Sequence, residues 1–232
     1  MKTLLMLAGA IGTAGVLLAG CGGEGGTPGI NPEDFQSTID NKFFPLSSLG
    51  PRVFEGEERD PDTGEVIATR VESTVLPETA EVGNVRVLVV EEKDYEDGEL
   101  VEFTLDYYAQ HKDGTVYYFG ERVDDYEGGV VVGHSGQWLA GEGANQPGVF
   151  MPAEAEVDDE FEQERAPGVA EDRSKVVAVE QSLTTPAGTF TDCIKTEDFD
   201  PIGGVTEFKF YCRGVGLVRE EFPDGQLDLI TY

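Results

Sequence analysis

The stretch VEFTLDYYAQHKDGTVYYFGERV, residues 101–123, decides the fold class of this chain. Apolar and polar side chains alternate over residues 101–109, and this period of two is typical of a half-buried antiparallel strand. A second apolar run, residues 115–123, follows the turn signal Asp113-Gly114. Two such runs joined by a short turn predict a β-hairpin.

The length of the hairpin loop sets which residues face each other. A three-residue loop, 112–114, places Ala109 opposite Tyr117, whereas a two-residue loop places Leu105 opposite Arg122. We expect the three-residue loop, because a slip by one residue would turn the apolar set of a strand to the wrong face.

The rest of the chain repeats this pattern of strand, turn and strand. Residues 85–90 (VRVLVV) are apolar on both faces, which predicts a central strand. The best helical segment is short, from Pro32 to Ile39, with Asn31 as its cap. Further turn signals are Asp62-Thr63-Gly64, Asp97-Gly98, Gly128-Gly129 and Pro223-Asp224-Gly225.

These patterns predict an all-β fold in a single domain, residues 35–232. We expect an antiparallel meander of about ten to twelve strands with at most a short N-terminal helix. A meander of that length has two open edges that must be protected, so it should curl into a barrel, a half-barrel or a sandwich.

The N-terminal stretch MKTLLMLAGAIGTAGVLLAGC, residues 1–21, predicts an extracytoplasmic location. Its apolar run is shorter than the ~20 residues that span a bilayer, and it suits a secretory signal. It ends in Leu18-Ala19-Gly20-Cys21, which resembles the lipobox of bacterial lipoproteins. The resemblance implies a signal peptide over residues 1–20 and a lipid on the Cys21 thiol. The alternative is an ordinary secretory signal in which Cys21 is incidental.

A Gly- and Pro-rich segment follows, and we interpret residues 21–34 as a flexible tether. The resemblance implies that Cys21 attaches the protein to a membrane outside the cytoplasm. That membrane would be the outer membrane in a Gram-negative host, and otherwise the outer face of the cell membrane.

The net charge of −30 over 232 residues argues against nucleic acid as a partner. Three interpretations of the acidity stay open: a solvated surface, adaptation to high salt, or a site for Ca²⁺ or a cationic partner.

Two of the three cysteines lie far from the lipobox. A hairpin turn centred between Ile202 and Gly203 places Cys193 directly opposite Cys212, at a distance suited to a disulfide. Cysteines outside the cytosol tend to pair, so we predict a structural bridge. A redox-active pair is the alternative, but redox pairs are usually spaced Cys-x-x-Cys.

Motifs for catalysis or metal binding are weak. Residues 133–137 (GHSGQ) resemble a nucleophile elbow, but Gln137 stands where the elbow needs glycine. The chain has only two histidines, His111 and His134, in no metal-binding spacing. We identify no catalytic residue, no metal site and no cofactor, although a carboxylate pair in a hydrolase stays possible among 46 acidic residues.

The concave face of a curled sheet would offer a surface for an apolar or amphipathic ligand. We expect Tyr107, Phe119, Trp138 and Phe150 to contribute to it. We interpret the long loop before Phe150, residues 141–150, as closing one end of the barrel as core. The alternative is that this loop is functional, as long ordered loops often are.

Residues of the C-terminal third resemble a group of uncharacterised secreted or lipid-anchored bacterial proteins. The matching elements are residues 185–190 (TPAGTF), 192–193 (DC), 210–212 (FYC) and 214–218 (GVGLV), with residues 40–46 (DNKFFPL) as a similar opening. The group implies an antiparallel β fold like the half-barrel of lipoprotein carriers, and no catalytic residue.

Together these expectations describe a lipid-anchored binding or interaction domain of the bacterial cell envelope, with an apolar small molecule or another envelope component as its partner. A carboxylate hydrolase and a structural surface lipoprotein without a small ligand are the alternatives.

Overall fold

The computed structural model describes residues 30–232. The predicted signal peptide, the lipidated Cys21 and the first part of the tether lie outside these residues. Within the described part of the chain, no helix is both long and apolar enough to cross a membrane.

The described residues form one antiparallel sheet of sixteen strands, which confirms the all-β prediction. The strands are β1 (Phe35–Gln36), β2 (Arg52–Arg59), β3 (Val66–Val82), β4 (Val85–Glu96), β5 (Glu99–His111), β6 (Val116–Glu127), β7 (Val130–Gly133), β8 (Trp138–Leu139), β9 (Gln146–Met151), β10 (Glu160–Glu162), β11 (Glu164–Arg165), β12 (Arg173–Thr185), β13 (Gly188–Asp200), β14 (Val205–Cys212), β15 (Gly216–Phe222) and β16 (Gly225–Thr231). Ten of them have seven or more residues and make up the predicted meander. The short ones carry too few residues to show an alternating pattern.

The helical segment predicted from Pro32 to Ile39 is only one 3-10 turn, Pro32–Asp34, and a second turn spans Leu46–Ser48. The Asn31 side chain caps the first turn by accepting from the amide of Glu33. The turn cannot continue as a helix, because β1 pairs with the end of β5.

The sheet is nearly closed into a barrel. Its strand order is β10-β12-β13-β14-β15-β16-β2-β3-β4-β5-β6-β9-β11, so each long strand lies beside its hairpin neighbours and β16 returns to β2. The two ends of this order, β10 and β11, belong to one short segment, residues 160–165. That segment joins the two edges, which protects them as a meander of this length requires.

The hairpin of β5 and β6 contains both registers considered from the sequence. Ala109 lies opposite Tyr117, as the three-residue loop predicts, but Leu105 lies opposite Arg122. A bulge on β6 between these pairs changes the register, and it depends on Gly120. That residue has a φ of +103°, and a Cβ atom there would lie 2.2 Å from the carbonyl oxygen of Trp138.

The segment before β2, residues 39–49, contacts the loops after β5, β9 and β14. We call this end of the barrel the lower end, and this segment the lower cap. The Asn41 side-chain amide donates to the carbonyls of Gly114 and Pro152, at 3.1 and 2.9 Å. Its oxygen accepts from the backbone amides of Phe43 and Phe44, at 2.9 and 3.2 Å. One asparagine therefore fixes the turn that places these aromatic side chains in the core.

The upper half of the interior is acidic, and this reverses the face predicted for β5. The predicted alternation is present, but over residues 101–106 the polar side chains are the more buried ones: Glu102 is 2% exposed and Asp106 7%. Val101, Phe103 and Leu105 lie only half-buried on the other face. The sequence pattern identified the strand, but the closed sheet turned its acidic face inward.

Candidate ligand-binding cavity

A cavity of about 80 Å³ lies inside the barrel above the lower cap. This exceeds the roughly 10–15 Å³ that a single water molecule needs, so more than one can enter. Two walls of opposite chemical character line it, and each is built by side chains that alternate to the inner face of the sheet.

The first is an aromatic wall. Tyr108 and Tyr118 are direct cross-strand partners on β5 and β6, and their rings stack at 4.9 Å. Phe150 packs against Tyr108 at 5.0 Å and against Phe44 of the lower cap at 4.6 Å. Tyr211 on β14 completes this wall, 6.3 Å from Phe44. Such a surface suits the apolar part of a ligand or an organic cation.

The second is a carboxyl wall of seven acidic side chains, faced by only two basic ones. The acids are Glu92, Asp94, Glu102, Asp106, Glu121, Glu164 and Asp172; the bases are Arg52 and Lys209. Seven ionised carboxylates cannot share so small a space, because burial and mutual repulsion both disfavour the charged form.

Three acids form a row across β4, β5 and β6, since Asp94 lies opposite Glu102 and Glu102 opposite Asp125. Burial, with the charge of Asp125, raises the pKa of Glu102 to about 8. Burial, followed by the charge of Glu102, raises the pKa of Asp94 well above its usual value. Glu102 is therefore largely protonated at neutral pH.

Asp106 is held in a defined position within the cavity. Its two carboxyl oxygens accept from the hydroxyls of Tyr118, at 2.7 Å, and Thr104, at 3.0 Å. Burial and the charge of Glu92 raise its pKa to about 7, although both hydrogen bonds oppose the shift. Asp106 can therefore gain or lose a proton near neutral pH without a change in its surroundings.

Two further acids carry an oxygen with no hydrogen-bond partner among the described residues. These atoms are Oε1 of Glu121, a residue only 2% exposed, and Oε2 of Glu164, 4% exposed. Burial raises the pKa of both well above the usual value, with contributions from Asp106 at Glu121 and from Asp172 at Glu164. A buried polar atom left unpaired costs about 1–3 kcal/mol. Donors lie near both carboxyls, because the Trp138 indole lowers the pKa of Glu164 and the Tyr118 hydroxyl that of Glu121, so a ligand in the cavity would add to these contacts.

Lys209 occupies the edge of the cavity as the centre of a buried ion cluster. Its Nζ lies 3.5 Å from Glu220 and 3.6 Å from both Glu207 and Asp198. Burial lowers the pKa of Lys209, but the three carboxyls together outweigh it and hold the pKa well above its usual value. Lys209 is therefore charged, and its ammonium group is already paired with these three carboxyls.

The four aromatic residues predicted to bind a ligand are not brought together at the cavity. Phe150 lies on the aromatic wall. Trp138 is 2% exposed and packs edge-on behind Tyr118, at 5.6 Å. Tyr107 and Phe119 are buried in the surrounding core and do not line the cavity.

The residues that sequence reasoning missed are the carboxylates of β4 to β6. The turns gave no signal for this row, because the pairs Asp94–Glu102 and Glu102–Asp125 form only after bulges shift the register of both hairpins.

Cys193 and Cys212 lie directly opposite each other, in the register predicted from the turn, and are joined by a disulfide. The bridge packs in a second core cluster with Phe54, Phe222 and Leu229, among others. Its position in packed core, away from the cavity lining, fits a structural bridge.

The stretch 133–137 lies between β7 and β8. The Ser135 hydroxyl donates to Asp125 at 2.8 Å, while the His134 ring lies 2.7 Å from the carbonyl oxygen of Val123. Ser135 is thus bound to an acid, not to a histidine base. Across residues 30–232, no group of three or more His, Cys, Asp or Glu side chains is arranged to hold a metal ion.

Comparison with known proteins adds one structural likeness. No family model and no curated protein matches the chain. A solved structure described as a "putative lipoprotein" from Parabacteroides distasonis ATCC 8503 is similar at 15% identity and a TM-score of 0.42, covering 82% of this chain and 98% of that one. A likeness at this level identifies neither a family nor a function.

Proposed function

We propose that this protein is a lipid-anchored, extracytoplasmic binding protein whose barrel holds a small ligand with a cationic group. The observation that carries the proposal is the pair of unpartnered carboxyl oxygens, on Glu121 and Glu164, inside a cavity with an aromatic wall. An ammonium group supplies the charge and the donors that these oxygens lack.

The aromatic and carboxyl walls would divide the ligand between them. The cationic group faces the acids, and its apolar substituents face the rings of Tyr108 and Phe150. This refines the apolar or amphipathic ligand expected from the sequence to an amphipathic cation.

Binding should be linked to proton release. A cation stabilises the ionised form of the carboxyls that it contacts, and burial raises the pKa of Glu121 and Glu164 well above the usual value. The ligand must therefore displace protons, so its affinity should rise with pH. A cavity that binds a neutral molecule would show no such dependence.

The test is calorimetric titration of the purified protein with methylammonium and with methanol, a neutral probe of similar size. We expect heat of binding for the cation only, with an affinity that increases from pH 6 to pH 8. The substitution Glu121→Gln should weaken binding by about tenfold or more. Exposed Glu99→Gln, on the same sheet, is the control. Equal binding of both probes, or of neither, would contradict the proposal.

The anchor is tested separately with Cys21→Ser in the full chain, expressed in a bacterial host. We expect the unsubstituted protein to take up labelled palmitate and to sediment with membranes. The variant should do neither, since a covalent lipid supplies the membrane affinity. Membrane association that survives the substitution would remove Cys21 as the anchor.

A further inference from the structure

The cavity also contains an unpartnered cationic group. Arg52, on β2, is 5% exposed and lines the same cavity as Glu121 and Glu164. One of its terminal nitrogens, Nη2, donates to the hydroxyl of Ser73 at 3.3 Å, whereas Nη1 has no hydrogen-bond partner among the described residues. A buried guanidinium nitrogen in this state can donate a hydrogen bond to an anionic oxygen.

Nη1 packs close to the backbone of Gly216. A Cβ atom there would lie 3.3 Å from Nη1 of Arg52, and the φ of Gly216, +82°, itself favours glycine. Burial lowers the pKa of Arg52, and the charge of Glu92 partly offsets this shift. No hydrogen bond joins the Glu92 carboxyl to Nη1. Nη1 is therefore a buried donor that still lacks a hydrogen bond among the described residues.

One cavity thus offers unpaired groups of both signs. We propose that the ligand is a small zwitterion, with its ammonium group against Glu121 and Glu164 and its carboxylate against Nη1 of Arg52. This inference rests on the proposed function and adds the anionic half of the ligand. Amino acids are the chemical class with both groups on so few atoms, and a cavity of about 80 Å³ accepts only small ones.

The zwitterion also explains why both kinds of unpaired group occur together. Bringing a lone cation into the barrel would leave Arg52 unpaired, and a lone anion would face seven carboxyls. A molecule with both charges satisfies the two ends at once and brings no net charge of its own into the cavity.

The test compares molecules that differ in one charged group. Glycine, β-alanine and 4-aminobutyrate carry the two charges at increasing separation, while methylammonium and acetate carry one each. Titration of the purified protein at pH 7 should show one zwitterion binding at least about tenfold more tightly than methylammonium, as expected for one charge-assisted hydrogen bond.

Variants at Arg52 separate the two halves of the ligand. Arg52→Gln should remove the advantage of the zwitterion and leave the affinity for methylammonium within about twofold. Arg52→Lys keeps the charge but not the planar donor pair, so it should retain part of the preference for the zwitterion over methylammonium. This second variant provides the measurement if Arg52→Gln does not fold. Arg70→Gln, at a half-buried position on β3 outside the cavity lining, is the control.

The outcomes distinguish this inference from the proposed function. If methylammonium and the zwitterions bind equally, and Arg52→Gln changes neither, the inference is overturned while the cation site stands. In that case Nη1 donates to a water molecule. A second cavity of about 20 Å³, which Arg52 also lines, has room for one. If no amine binds at all, the proposed function fails and this inference fails with it.

Discussion

The substitution Glu102→Gln should remove about 3 kcal/mol of the pH dependence of folding stability, leaving the share of the other buried acids. Glu102 is buried between Asp94 and Asp125 in the row across β4 to β6. Its pKa rises from 4.5 to about 8 in the folded protein. An acid with a raised pKa stabilises the fold at low pH, and this stability is lost as pH rises from the unfolded to the folded value.

The magnitude follows from those two values. At pH 8 Glu102 is almost fully ionised in the unfolded chain, whereas about half of the folded molecules still hold its proton. This difference costs the folded state about 3 kcal/mol between pH 5 and pH 8. A neutral amide at the same position pays no such cost, and its NH₂ group can donate to neighbouring carboxyl oxygens.

The assay is urea unfolding at pH 5, 6, 7 and 8, followed by the fluorescence of the single tryptophan, Trp138, which is 2% exposed in the folded protein. We expect the unsubstituted protein to lose stability steadily across this range. The Glu102→Gln variant should lose about 3 kcal/mol less, and the exposed Glu99→Gln control should follow the unsubstituted protein.

This reasoning is refuted if the free energy of unfolding falls with pH equally in the unsubstituted protein and in the Glu102→Gln variant. It would mean that Glu102 is ionised in the folded barrel at neutral pH, with its charge compensated by water or ions. The carboxyl wall would then be a hydrated surface, and binding of a cation would release no protons.

Three further predictions concern the scaffold. Gly120→Ala should destabilise the protein by more than about 2 kcal/mol, because its backbone is in the left-handed region and a Cβ would collide with a carbonyl oxygen; Gly128→Ala, also at positive φ but with nothing within 4 Å, should cost about 1 kcal/mol in the same unfolding assay. Lys209→Met should cost about 3–5 kcal/mol at pH 7 and less at pH 5, where the acids it leaves behind can take up protons; equal losses at both pH values would contradict this. Replacing both Cys193 and Cys212 by serine should lower the free energy of unfolding by about 3 kcal/mol, and reduction of the unsubstituted protein should reproduce that loss.

The sequence by itself was sufficient for the strands and for most local pairing. Asp97-Gly98, Asp113-Gly114 and the other predicted turn signals join consecutive strands, and residues 85–90 lie in a central strand as their uniform apolarity predicts. The register of Cys193 against Cys212 also followed from the turn alone. These features are local, because a hairpin fixes its own register through the length of its loop.

The bulge in β6 is a first example of what the sequence could not decide. The turn predicts one register and the upper half of the hairpin adopts another, because β8 approaches Gly120 from outside the hairpin. Pairing between distant segments, such as β16 with β2, has no turn to set it. It is determined when the sheet curls far enough to bring these edges together.

Only the closed barrel decided which face of each strand is buried. Alternation on β5 gives two faces, one apolar and one with Glu102, Thr104 and Asp106, and the usual expectation buries the apolar one. Closure placed the acidic face inside, where protonation and a shared cavity make it tolerable. The carboxyl wall, Arg52 and the aromatic wall come from segments far apart in the chain. Their meeting is therefore a property of the tertiary structure, because unpaired groups of both signs become neighbours only when the sheet encloses them.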